Sequence, residues 1–190
     1  MGIVLAVKKK NVICIAADTM TVSGGSRKQT ASYVDNSEKI IKCGTSYIGT
    51  ADHPTWKLTI ERYLGGLKHK PTFSSQEEIF TELLKMHKAL KDKYFLSSNE
   101  GEEPFESSRF ESLIVNPHGI FKTCKLRSIQ EFIQFSAIGS GASYALGALH
   151  ALYDQLDSAE EIAKAALSMV TEFDDSSGLS GTFYIIKKPK

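Results

Sequence analysis

The chain has 190 residues, of which 42% are hydrophobic and 24% charged, with a formal net charge of +1. That length accommodates one domain with a substantial core, and the composition excludes a disordered or collagen-like chain. Near-neutral charge gives no overall reason to expect nucleic acid as a partner, and no apolar run approaches the roughly 18 residues that a membrane span needs.

Gly2 to Val7 is a short apolar stretch followed by Lys8, Lys9 and Lys10, the reverse of a secretion signal's order, so a cytoplasmic location is expected. Short β-branched runs predict strands over Ile3–Val7 and Asn11–Ala17, joined at the lysines as a hairpin. The polar, glycine-containing stretch from Ser23 to Asn36 reads as a loop, and Glu38–Cys43 and Thr45–Gly49 read as two more strands.

Helices follow. Pro54 suits a first helical position, and apolar residues recur at helical spacing until Gly65 and Gly66 stop the run. A longer helix is predicted from about Ser75 to Phe95, where Ile79, Leu83, Met86, Leu90 and Tyr94 make one core-facing stripe. Ser97–Ser108 is acidic and turn-rich, an exposed loop. Strands resume at Phe110–Val115, Ile120–Cys124 and Phe132–Ile138, helices at Ser143–Leu156 and Ser158–Phe173, and Phe183–Lys187 closes the chain as a strand. Strands, two helices, strands, two helices and a strand argue for an α+β fold of segregated layers: two antiparallel sheets face to face, with a helix pair outside each.

Metal and cofactor chemistry find little support. Cys14, Cys43 and Cys124 lack metal-ligand spacing, and the five histidines are scattered, so neither a disulfide framework nor a metal site is expected. Gly139-x-Gly141 has Tyr144 where a dinucleotide fingerprint needs its third glycine, and no cofactor is expected.

Four segments carry a sharper signal: Ile15-Ala16-Ala17-Asp18-Thr19, Glu38-Lys39-Ile40, Ile138-Gly139-Ser140-Gly141 and Asp174-Asp175-Ser176-Ser177-Gly178. In this order and spacing, and over nearly the whole chain, they resemble the proteasome β subunit, the bacterial peptidase HslV and the bacterial proteasome homologues, within the N-terminal-nucleophile hydrolases. The resemblance implies a four-layer αββα sandwich and a threonine-type peptidase in which the first residue supplies both hydroxyl nucleophile and α-amine base. It implies that Lys39 stands beside the nucleophile with Asp18 as its partner. It further implies that Ser140 and Gly141 organise the amine and the oxyanion hole, and that Asp174 and Ser177 hydrogen-bond around the terminus, with Asp175 a rival for the acidic role. Gly49 would mark the strand end where a substrate adds by main-chain hydrogen bonds, and Val22 the opposite wall. Homomeric stacked rings, unfolded polypeptide substrates and an ATP-dependent unfoldase as partner are implied likewise, with neither nucleic acid nor membrane.

One position departs from this pattern. Counting back sixteen residues from Asp18 puts Gly2 at the nucleophile position. Removal of Met1 would leave a free glycine amine there, but glycine has no hydroxyl to form an acyl-enzyme, so the chain as written is expected to be inactive. Either a threonine has been replaced in an active family member, or this is a natural ring protein without catalysis, a scaffold or binding ring of the same fold. Hydrolysis of non-peptide amides is a third reading.

Overall fold

The computed structural model describes residues 2–23, 27–98, 103–178 and 180–188. β1 (Ile3–Lys9) and β2 (Val12–Asp18) form an antiparallel hairpin whose turn places Lys10 at φ 55°. Lys8 and Lys9 belong to the strand, so the predicted turn is shorter than the run of lysines. A small hairpin follows, β3 (Thr21–Ser23) with β4 (Arg27–Gln29), where a loop was expected. β5 (Ile40–Cys43) and β6 (Ser46–Gly49) start the second large sheet, and Glu38 and Lys39 lie just ahead of β5 rather than within it.

Pro54 opens α1 (Pro54–Gly65), capped by His53, whose Nδ1 accepts from the Thr55 amide. α2 (Gln76–Tyr94) is capped by Ser75, and its predicted stripe is buried at Ile79, Leu83, Met86 and Leu90. β7 (Ser112–Val115), β8 (Ile120–Thr123) and β9 (Ile129–Phe132) complete the second sheet, in the order β5-β6-β7-β8-β9. β10 (Phe135–Gly139) belongs to the first sheet, so the run Phe132–Ile138, expected as one strand, is two. The chain changes sheets at Ile133 and Gln134, and Ile133 is 84% exposed there. α3 (Ala142–Tyr153), α4 (Ala159–Phe173) and β11 (Gly181–Lys187) follow, and the first sheet has the order β10-β1-β2-β11.

Successive side chains on a strand face opposite ways. Ile3, Leu5 and Val7 therefore pack under α3 and α4, while Val4 and Ala6 meet Leu113, Val115 and Ile120 of the other sheet. On the far side, Ile41, Ile48, Ile114 and Phe121 pack under α1 and α2. Three apolar interfaces separate four layers, which is the αββα sandwich. β1 and β2 are buried on both faces, which is why they read as unbroken apolar runs.

Candidate functional site

Gly2 is buried at the head of β1, where the β1–β10 register puts Ile3 opposite Gly139. Gly139 has φ 107°, and a Cβ there would overlap the Gly2 carbonyl oxygen, so only glycine lets β10 pass this close. Immediately beyond it, Ser140 Oγ lies 3.3 Å from the Gly2 carbonyl oxygen, within reach of its single hydroxyl proton.

β2 ends at Asp18, which is fully buried. Its Oδ1 accepts from the Ile3 amide at 2.8 Å and from Lys39 Nζ at 2.5 Å, and its Oδ2 from the amides of Met20 at 3.0 Å and Gly178 at 3.3 Å. A buried carboxylate is tolerated only when satisfied in this way. Lys39 also donates to the Met20 carbonyl at 2.8 Å. Burial pushes the Lys39 pKa below its usual value, and the Asp18 charge offsets part of that fall.

Glu38 secures this lysine across the two sheets. Its carboxylate accepts from the Ile40 amide at 2.8 Å and from Thr182 Oγ1 of β11 at 2.9 Å, while the Lys39 carbonyl accepts from the Thr50 amide at 3.1 Å. A Cβ on Gly2 would overlap Lys39 Nζ and lie 2.5 Å from Asp18 Oδ1, so residue 2 faces this ion pair directly.

On the other flank, α4 ends at Asp174, whose amide still bonds the Val170 carbonyl. Asp174 Oδ2 accepts from Ser140 Oγ at 2.8 Å and Ser177 Oγ at 2.6 Å. Gly141 belongs to the same cluster: a Cβ there would overlap Val170 and lie 3.1 Å from Asp174 Oδ2. Asp175 is exposed and pairs with Lys28 at 3.5 Å, away from the hydroxyls that Asp174 accepts from.

A cavity of about 80 Å³ is lined by Lys39 together with Thr21, Thr50 and Leu58, among others. Val22, half-buried in β3, pairs with Lys28; among the described residues β3 pairs only with β4, which leaves its other edge open. Gly49 needs correction. It pairs with Ile40 on one side and Leu113 on the other, and a Cβ there would overlap Val4 Cγ1. Its main chain lies inside the sheet, with no open edge for a substrate strand; close packing between the sheets accounts for the glycine.

The structure thus brings Gly2, Asp18, Lys39, Ser140, Gly141, Asp174 and Ser177 together from five segments of chain. Sequence reasoning quoted Glu38 and Gly139 within motifs but gave neither a role, and missed Met20, whose amide and carbonyl both serve the ion pair. Among the described residues, no group of three or more His, Cys, Asp or Glu side chains is placed to hold a metal ion. The Lys39–Asp18 pair faces residue 2, and that residue has no side chain to present.

The proteasome subunit family matches residues 2–186. Among solved structures, Thiobacillus denitrificans BPH in complex with epoxomicin is 40% identical with a TM-score of 0.92, over 99% of this chain and 100% of that one. A second structure of Thiobacillus denitrificans BPH is 41% identical with a TM-score of 0.91, over 98% of each chain. HslV from Trypanosoma brucei is 17% identical with a TM-score of 0.69, over 97% of this chain and 99% of that one, a likeness of fold. Among curated proteins, none matches this chain.

Proposed function

Because the chain belongs to the proteasome subunit family, we propose that it is a threonine-peptidase-type ring subunit whose site is assembled but lacks its nucleophile. The observation that carries this reading is the burial of Gly2 against the Lys39–Asp18 pair, with Ser140 on its carbonyl. With threonine at residue 2, its hydroxyl would lie beside Lys39, the α-amine would act as base, and Ser140, Asp174 and Ser177 would orient that amine. Glycine leaves the base with nothing to activate, so no acyl-enzyme forms and peptide turnover is absent. Self-assembly into stacked rings would confine hydrolysis to unfolded chains delivered to an inner chamber, with an ATP-dependent unfoldase as feeder, in the cytoplasm.

One observation favours the second reading, a ring scaffold without catalysis. Lys39 Nζ fills the space where a residue-2 side chain would begin, so a nucleophile there needs the lysine to withdraw.

Gly2→Thr, produced with residue 2 as its first residue and checked by mass, separates the two. Turnover of fluorogenic peptides and covalent labelling by epoxomicin, both absent from the glycine form, support the peptidase reading. A folded threonine form with neither favours the scaffold, and turnover by the glycine form refutes the claim of inactivity. Negative-stain imaging for rings tests the assembly separately.

A further inference from the structure

Lys39 is mostly buried, lines a cavity and, unlike Lys57 in the same lining, is held against a fully buried carboxylate. Its side chain is 13% exposed, and the cavity beside it holds about 80 Å³ between Thr21 and Thr50. Among the described residues its amine donates to two acceptors, Asp18 Oδ1 and the Met20 carbonyl, although an ammonium carries three donors. Glycine at residue 2 also leaves the amine in the position a side chain would take. A lysine held in this way and lining a small cavity has the setting that amine nucleophiles need.

We infer that the Lys39 amine is a covalent attachment site for small aldehydes, which enter the cavity beside it and condense with it as imines. The ammonium first releases a proton to solvent. The amine lone pair then adds to the carbonyl carbon, and the carbonyl oxygen leaves as water carrying both remaining amine hydrogens, so no oxidant or reductant is needed. The carboxylates of Asp18, Asp174 and Glu38 favour the charged amine, and burial outweighs them, so a larger neutral share exists at pH 7 than on an exposed lysine. Asp52, His53, Glu61 and Lys57 also face the cavity, and Lys57 is paired with Glu61 at 3.5 Å. This chemistry does not depend on peptide hydrolysis, and it persists if the peptidase reading fails.

The test uses the unaltered chain, incubated at pH 7 with isobutyraldehyde and sodium cyanoborohydride, which traps an imine as a secondary amine. Peptide mapping by mass spectrometry then gives the rate at each lysine. Lys39 is expected to label faster than Lys88, which is 80% exposed, since burial lowers its pKa and so raises its neutral fraction. Its rate should also level off at a lower pH than that of Lys88. Labelling of Lys39 no faster than Lys88, preferential labelling of Lys57 in the same cavity, or a Lys39 rate that climbs to the pH of an ordinary lysine would each overturn the assignment.

Discussion

Asp18→Ala is expected to lower the unfolding free energy by about 3–5 kcal/mol, the range for stranding one member of a buried ion pair. The carboxylate is wholly buried and accepts from three backbone amides and Lys39. An unsatisfied buried donor costs about 1–3 kcal/mol, but these losses do not sum, because water can reach Lys39 through the adjacent cavity. Lys39 can also shed its proton. For a lysine of ordinary pKa that costs about 4.8 kcal/mol at pH 7, and less here because burial already lowers the value. Urea unfolding of Asp18→Ala, Lys39→Met and the double variant, at one protein concentration, measures the coupling. The double variant should be more stable than Asp18→Ala, having no stranded ammonium. A folded-state pKa below the unfolded one means the unfolded chain binds more protons between the two values, so stability rises with pH across that window toward 10.5. The Asp18→Ala deficit should therefore shrink toward pH 10. A deficit under about 1 kcal/mol at pH 7, or no coupling to Lys39, would refute the account of a satisfied buried pair.

Gly139→Ala should cost at least about 2 kcal/mol, from an unfavourable positive φ and overlap with the Gly2 carbonyl, read as a lowered urea midpoint. Glu38→Gln should lower the Lys39 pKa further, because it removes a carboxylate that favours the charged amine; lysine side-chain NMR would show the displaced titration. At the head of α2, burial alone would raise the Glu78 pKa, but hydrogen bonds from Ser74 and Thr72 outweigh it and hold the carboxyl at about 2. The stability it contributes is present above its unfolded value of 4.5 and lost as pH falls through about 2, so Glu78→Gln should flatten that acid limb in thermal melts.

Periodicity reached the elements whose burial is one-sided or complete. The α2 stripe and the two-faced strands β1 and β2 are legible because burial dictates where apolar residues fall. The β3–β4 hairpin escaped because its polar residues match a loop's composition. The break at Ile133 and Gln134 escaped because an exposed isoleucine looks like core until its sheet is known. At the site, Asp18, Lys39 and Asp174 stood out only as an ordered set of motifs; nothing local distinguishes a site aspartate from a turn aspartate. The choice between Asp174 and Asp175 rests on which way the α4 exit points, and the role of Glu38 on a partner in β11, 144 residues away. Gly49 misled for a related reason, since a glycine for sheet packing and one for a substrate look alike in sequence.

The same carboxylate that would serve catalysis fastens three stretches of backbone: the start of β1, the segment after β2 and the turn beyond α4. A strand end that would ordinarily fray is thereby pinned, and loss of Asp18 would loosen the subunit before any question of turnover arose. Folding therefore gives Asp18 a use even beside a glycine, and heating should dismantle this carboxylate's cluster and the fold together.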